Sequence, residues 1–263
     1  MNAIEFSLKP THQAFKITSI RLENERTRTL ILDRPLDCNP GQFIMLWLPG
    51  IGEKPFSIAG NNPLTLTIVD VGDFSHAIAS LKEDDKIWLR GPLGQGYAPL
   101  GHRLLLVGGG YGAAPLSFLA REALAKGHTV DVCLGARRAQ DIILADEFRG
   151  MMANVFLSTD DGSTGKKGLV TQITETCIQA NPPDAIYACG PVKMLEAVET
   201  LGNRYHIPCQ LSWEAFMRCG MGLCGSCELE INQDETDPRP HHRPGWLVCL
   251  DGPVSFTTPP ELE

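Results

Sequence analysis

Hydrophobic and polar residues alternate in short runs over the first third of the chain. Ala14–Leu22, Thr27–Leu32, Phe43–Leu48, Pro55–Ala59, Leu64–Val69 and Lys86–Leu89 each read as a strand. Turn signals separate them, among them Asn39-Pro40-Gly41, Pro49-Gly50 and Asn61-Asn62-Pro63. Short strands at this spacing predict a small antiparallel β-barrel. One helix interrupts it over Ser75–Leu81, with Ser75 in the N-cap position.

From Arg103 the period changes. Leu104–Val107 is a continuous apolar run, as a buried parallel strand requires. A helix follows over Ala114–Lys126, because Leu116, Leu119, Ala120, Ala123 and Leu124 fall on one stripe and Gly127 supplies a C-cap. Strands at Thr129–Leu134, Val155–Ser158 and Ala185–Ala188 alternate with helices at Val170–Gln179 and Val192–Leu201. That order predicts a doubly wound α/β domain, which binds ligands at the C-terminal ends of its strands. The expected division is a barrel domain over 1–101, an α/β domain over 102–209 and a small module over 210–263.

Composition narrows the partners. The chain is 43% hydrophobic and 21% charged, which is ordinary for a globular protein. A net charge of −8 argues against a nucleic-acid or anionic-membrane surface. No apolar run approaches the roughly 20 residues of a membrane span. Met1–Phe6 lacks the basic start and apolar core of a signal peptide. Nine cysteines, an odd number, do not resemble a disulfide framework, so a reducing cytoplasm is expected.

Four of those cysteines carry chemistry. Cys219, Cys224 and Cys227 stand in Cys-Gly-Met-Gly-Leu-Cys-Gly-Ser-Cys, and Cys249 follows in Leu247-Val248-Cys249. The C-x4-C-x2-C…C spacing is that of a [2Fe–2S] cluster held by four thiolates. Gly220, Gly222 and Gly225 supply backbone freedom for a loop that aims N–H groups at sulfur. A zinc site, by contrast, takes paired C-x2-C units, and one such pair is present. Cys38, Cys133, Cys177 and Cys209 read as small buried hydrophobes.

The strand at 104–107 runs into Gly108-Gly109-Gly110-Tyr111-Gly112-Ala113-Ala114-Pro115. Glycines between a strand and a helix let the backbone approach a pyrophosphate, and the helix start offers N–H donors. The spacing is not the dinucleotide fingerprint G-x-G-x-x-G, and packing alone also favours glycine in such turns.

Taken together these motifs resemble the ferredoxin–NADP reductase superfamily. Lys54-Pro55-Phe56-Ser57 resembles its Arg-x-Tyr-Ser flavin motif, and Gly72-Asp73-Phe74-Ser75 its Gly-x-Cys-Ser pyrophosphate motif. The glycine loop and Cys189-Gly190-Pro191 resemble its two nicotinamide-nucleotide motifs. With a terminal cluster module, the chain as a whole is similar to the electron-transfer subunits of NAD-linked, two-subunit dihydroorotate dehydrogenases. Gly91–Gly96, Thr159–Ser163 and Lys167–Thr171 add to the likeness.

The resemblance implies FAD on the barrel, held by Lys54, Pro55, Phe56, Ser57, Ile68, Val69, Asp70, Gly72, Phe74 and Ser75. It implies NAD(H) on the α/β domain at Gly109, Gly110, Gly112, Ala114, Pro115, Cys189, Gly190 and Pro191, with the cluster on Cys219, Cys224, Cys227 and Cys249. Electrons would pass between NAD(H), FAD, the cluster and FMN in a separate catalytic subunit that oxidises dihydroorotate, in a heterotetramer of two copies of each. No acid–base residue is implied, since hydride transfer from nicotinamide to flavin needs none. Cys189 is open to a packing or a functional role, and Glu214 reads as a surface charge.

Two departures stand out. Lysine replaces the family arginine at 54, and it serves phosphate as a point charge rather than a bidentate fork. The stretch between Cys227 and Cys249 is longer than the family's and carries His241 and His242 in Asn232–Pro244, which reads as a solvated surface loop. Histidine ligation of the Rieske kind is disfavoured, because four cysteines suffice. The coenzyme choice stays open: Asp160 and Asp161 oppose a 2′-phosphate, whereas Arg137 and Arg138 would accept one. Rival readings are a reductase subunit of a cytoplasmic hydrogenase or ferredoxin-linked bifurcating enzyme, an oxygenase reductase, and a non-enzymatic zinc-knuckle protein.

Overall fold

The computed structural model describes residues 11–229 and 239–257. The N-terminal hexapeptide and residues 232–238 of the expected surface loop lie outside them. Strands β1 (Gln13–Leu22), β2 (Thr27–Leu32), β3 (Phe43–Leu48), β4 (Gly52–Asn61), β5 (Leu64–Val69) and β6 (Lys86–Leu93) close an antiparallel barrel in the order β1-β2-β5-β4-β3-β6. The expected alternation drives this closure. In β5, Leu64, Leu66 and Ile68 point into the barrel and Thr65, Thr67 and Val69 point outward.

Helix α1 (Asp73–Ala79) follows β5, and its start corrects the expectation. Gly72, in extended backbone, is the N-cap, and Ser75 sits at the third helical position. The Ser75 hydroxyl oxygen accepts the backbone N–H of Val71 (2.9 Å) and of Gly72 (3.0 Å). It therefore fills the reciprocal half of a capping box rather than the cap itself.

The second layer contains β7 (Arg103–Gly109), α2 (Ala113–Ala125), β8 (Thr129–Ala136), α3 (Ala145–Gly150), β9 (Asn154–Thr159), β10 (Lys166–Lys167), α4 (Val170–Ala180), β11 (Ala185–Cys189), α5 (Val192–Tyr205), β12 (Cys209–Ser212) and β13 (Val254–Thr257). The sheet order is β10-β9-β8-β7-β11-β12-β13, parallel except for β13. Residues of α2 and α3 build the apolar core on one face, and residues of α4 and α5 that on the other. The order reverses between β7 and β11, so a crevice opens at the C-terminal ends of these two strands.

The last segment is threaded rather than appended. Strand β12 crosses the expected division at 209/210, and β13 pairs antiparallel to it through Cys209–Thr257 and Ser212–Val254. Between them the chain leaves the sheet, passes over the barrel and returns. Phe43, Met45 and Leu93 of the barrel share one apolar core with Trp213, Cys227, Trp246 and Cys249. Cys38, Cys133 and Cys209 are buried as expected, whereas Cys177 is only half-buried and lies 3.6 Å from Cys133, sulfur to sulfur.

Candidate functional site

A cavity of about 630 Å³ lies between the barrel and the crevice of the α/β sheet. Its walls come from stretches far apart in sequence. The barrel contributes Pro55, Phe56, Ser57 and Val69, the glycine loop contributes Tyr111, Ala114 and Pro115, and β11 ends on it with Cys189. The run Ser212–Met217 completes the wall and leads directly to Cys219. A cavity of this size with mostly apolar walls suits a planar cofactor ring.

Strand geometry sorts the expected flavin residues. Val69 faces the cavity, while its neighbour Ile68 is buried in the barrel core. Phe56 stacks on Phe74 with ring centroids 6.1 Å apart. Lys54 is exposed on β4, with its ammonium 5.3 Å from the centre of the Phe216 ring. Asp70 Oδ2 lies 3.0 Å from His76 Nδ1, and its carbonyl accepts Arg26 at 2.6 Å. Gly72 is exposed at the start of α1.

The glycines expected to meet the nicotinamide nucleotide approach one another across the strand ends. A Cβ on Gly112 would overlap the carbonyl of Cys189, and one on Gly190 would press against Gly109. Close packing of the two loops therefore requires glycine there. Gly110 differs: its φ is +56° and nothing lies within 4 Å of where a Cβ would point. Pro191 starts α5 as its N-cap.

Two polar residues at this cavity carry more than their sequence suggested. The Tyr111 hydroxyl donates to Glu214 Oε2 at 2.8 Å and bridges the glycine loop to the segment after β12. Atoms crowding the Glu214 carboxyl raise its pKa, and the Tyr111 hydrogen bond offsets this in part. Burial pushes the Cys189 thiol up to about 12, and the Glu214 charge adds to that, so Cys189 presents a neutral thiol at the cavity wall. Tyr111 lay inside a quoted motif, but only the fold shows it reaching Glu214, 103 residues away.

The cysteines converge. The Val248 N–H donates to the Cys227 carbonyl at 3.1 Å, and Cys227 and Cys249 share one apolar core. Backbone N–H groups of Met221 (3.5 Å) and Leu223 (3.3 Å) donate to Cys219 sulfur, and that of Gly222 (3.2 Å) donates to Cys249 sulfur. The glycines expected to free this loop adopt it in left-handed backbone, with φ of +63°, +76° and +69° at Gly220, Gly222 and Gly225. Hydrogen bonding from Ser226 lowers the exposed Cys224 thiol to about 6, which favours the ligand form. Converging thiols with N–H donors aimed at sulfur fit an iron–sulfur cluster.

His241 and His242 correct the expectation of a solvated loop. They lie in a short 3₁₀ turn, Pro240–His242, and are 0% and 3% exposed. Both pack on Glu199 of α5, with His241 Nε2 3.5 Å from Oε1 and His242 Nε2 4.0 Å from Oε2. Arg239 Nη1 donates to Glu199 Oε2 at 3.0 Å.

Comparison with known proteins agrees with this geometry. Residues 106–200 match the oxidoreductase NAD-binding domain, and residues 214–257 match the iron–sulfur cluster binding domain of dihydroorotate dehydrogenase B. The chain is 38% identical to the probable dihydroorotate dehydrogenase B (NAD(+)) electron transfer subunit of Methanocaldococcus jannaschii, over 91% of this chain and 87% of that protein. Identity to the corresponding protein of Thermococcus kodakarensis is 40%, over 82% and 83%. Among solved structures, that of the NADH-dependent reduced ferredoxin–NADP oxidoreductase, studied for flavin-based electron bifurcation, superposes with a TM-score of 0.78 at 26% identity, covering 92% of this chain and 87% of that one. A closed barrel, an α/β NAD-binding domain and a cysteine-bearing terminal segment, with relatives matched over most of their length, place this chain in the family of dihydroorotate dehydrogenase B electron transfer subunits.

Proposed function

We propose that this chain carries electrons between the FMN of a separate dihydroorotate-oxidising subunit and NAD, in the cytoplasm, within an assembly of two copies of each subunit. The chain is the electron transfer subunit of an NAD-linked oxidoreductase of pyrimidine biosynthesis, uses NAD(H), FAD and an iron–sulfur cluster, and works with a catalytic partner. Bound FAD would supply hydride exchange with NAD(H) and one-electron exchange with the cluster, so the chain would join two-electron to one-electron chemistry. The overall balance is dihydroorotate + NAD⁺ → orotate + NADH + H⁺.

One observation carries the reading. The cavity wall that begins with the flavin motif at Pro55–Ser57 and the nicotinamide loop at Ala114–Pro115 ends at Met217, two residues before Cys219. Met217 lines the cavity and also packs in the core that holds Cys227 and Cys249. The three cofactor sites are thus consecutive along one wall.

The residues divide the work. Phe56, Val69 and Pro55 form the apolar wall for the flavin ring, and Ser57 offers it a hydroxyl. Ile68 supports that wall from inside the barrel. Lys54, Asp70, Gly72, Phe74 and Ser75 surround the phosphate end; the Ser75 hydroxyl is already engaged in its own helix start, so backbone and the Lys54 charge serve the phosphates. Gly109, Gly110, Gly112, Ala114 and Pro115 admit the nicotinamide nucleotide, with Gly190 and Pro191 opposite, and the neutral Cys189 thiol shields the transfer position from water. Cys219, Cys224, Cys227 and Cys249 hold the cluster. The expected division into 1–101, 102–209 and 210–263 separates the three roles, although β12 and β13 place both ends of the last stretch in the α/β sheet.

Among the described residues no helix is long and apolar enough to cross a membrane. Together with nine cysteines, the net charge of −8 and cluster chemistry, this supports a cytoplasmic enzyme rather than a membrane-bound one. The 26% likeness to the ferredoxin–NADP oxidoreductase favours, as a second reading, exchange with a ferredoxin-linked partner. Co-purification with the native partner followed by flavin analysis separates the two: FMN beside FAD supports the dihydroorotate reading, and FAD without FMN supports the other.

A further inference from the structure

Glu199, His241 and His242 lie apart from the cofactor cavity, and all three are at least 97% buried. One ligand-capable atom from each lies within 4.8 Å of the other two. Both ring nitrogens of His241 and the Oε1 atom of Glu199 have no hydrogen-bond partner among the described residues. A fully buried imidazole with two unmet nitrogens beside an unmet carboxylate oxygen is costly unless something fills the gap. The gap has the right scale for a metal. Adjacent donors of a tetrahedral site with bonds of about 2.0–2.1 Å stand about 3.3 Å apart, and His241 Nε2 stands 3.5 Å from Glu199 Oε1.

We propose that Glu199, His241 and His242 bind one divalent cation of the zinc class, which staples the segment before Cys249 to α5. Two imidazole nitrogens and one carboxylate oxygen suit zinc, whereas calcium and magnesium seek sets of oxygens. The ring stacking fixes the donors. His241 packs on Trp213 with centroids 4.7 Å apart and meets Trp246 edge-on at 6.3 Å, which restrains its ring. Glu199 projects from the middle of α5.

Arg239 shares the carboxylate of this cluster. Its guanidinium donates to Glu199 Oε2 at 3.0 Å and lies 3.1 Å from His242 Nδ1. It supplies the positive charge that a buried carboxylate needs. Metal and Arg239 are compatible at Glu199, because the cation takes Oε1 and the arginine keeps Oε2. They compete at His242: a ring bound through Nε2 carries its proton on Nδ1, which then repels the guanidinium donor. Arg239 is 34% exposed and has solvent to move into. Metal binding therefore exchanges one arginine contact for a three-point bond between the segment carrying Trp246 and Cys249 and the nucleotide domain.

The test uses the cluster-loaded protein, dialysed against Zn²⁺ and then against buffer, with zinc and iron counted and the zinc edge examined by X-ray absorption. The expected result is one zinc per chain in addition to the cluster iron, with nitrogen and oxygen neighbours at about 2.0–2.1 Å. His241→Gln, chosen to keep volume and folding, should bind Zn²⁺ at least about 100-fold more weakly with FAD content unchanged. Arg239→Gln should bind it more tightly. Sulfur neighbours at about 2.3 Å would show zinc in the cysteine loop and overturn the site. No retained zinc, equal retention by His241→Gln, or weaker binding by Arg239→Gln would each overturn it as well, leaving a hydrogen-bonded anchor.

Discussion

Arg90 of β6 donates through Nη2 to the backbone carbonyl of Cys219, at 2.7 Å. The same guanidinium holds Glu53 with two hydrogen bonds, of 2.7 and 2.9 Å, and Glu53 lies one residue before Lys54 of the flavin motif. Cys219 is thus tied to the barrel strand that carries the proposed flavin residues. Arg90 side-chain exposure is 10%, so the tie is largely shielded from water. Arg90→Gln should destabilise the protein by about 1.5–3 kcal/mol, the range for hydrogen bonds to a charged group. Urea unfolding measures this, and faster cluster loss on storage should accompany it.

Glu53 also sets an acid limit. Burial pushes its carboxyl up, but hydrogen bonds from Arg90 and His12 outweigh this and leave it below its usual pKa. A depressed carboxyl contributes stability that is present above the unfolded value, about 4.3, and lost as pH falls through the folded one. Melting temperature should therefore fall as pH drops from about 5 toward 3. Glu53→Gln should melt lower at pH 7 and lose less over the acid range; an unchanged slope would remove Glu53 from this account.

Cys224 is the exposed member of the proposed ligand set, so its loss tests the cluster without emptying the core. Cys224→Ala should lower iron from about two per chain to near zero. FAD content and melting behaviour should stay close to wild type. Full iron in this variant would mean that the ligand set is wrong.

Gly110 tests the nucleotide loop. Its φ of +56° disfavours any side chain by about 1–2 kcal/mol, and a Cβ there meets no protein atom. Gly110→Val should raise the KM for NADH while FAD remains bound. If FAD is lost and NADH binding survives, the two cofactors are assigned to the wrong walls.

Regular patterns were legible where local chemistry dictates structure. The expected bounds of Thr27–Leu32, Phe43–Leu48 and Leu64–Val69 coincide with β2, β3 and β5, because each alternates or fills a core between clear turns. Helix α3 was missed because its six residues bury one large side chain, Phe148, too few for a period to register. Strands β12 and β13 were missed for another reason: β13 pairs with β12 across some 45 residues, and no local signal encodes that contact. The same limit hid the Tyr111–Glu214 bridge and the burial of His241 and His242, whose polarity alone argues for solvent. The C-x4-C-x2-C run at Cys219–Cys227 stood out because its three thiols share one short loop, whereas Cys249 lies 22 residues further on and joins them only through the fold.

The division of labour between this chain and its partner is tested most directly by one comparison of rates. The isolated, cofactor-loaded chain should reduce an artificial dye with NADH, yet neither oxidise dihydroorotate nor reduce orotate. Adding the FMN-containing partner should restore NAD-dependent turnover of dihydroorotate. Orotate chemistry by the isolated chain, or a reconstituted complex that still fails to link dihydroorotate to NAD, would contradict the account.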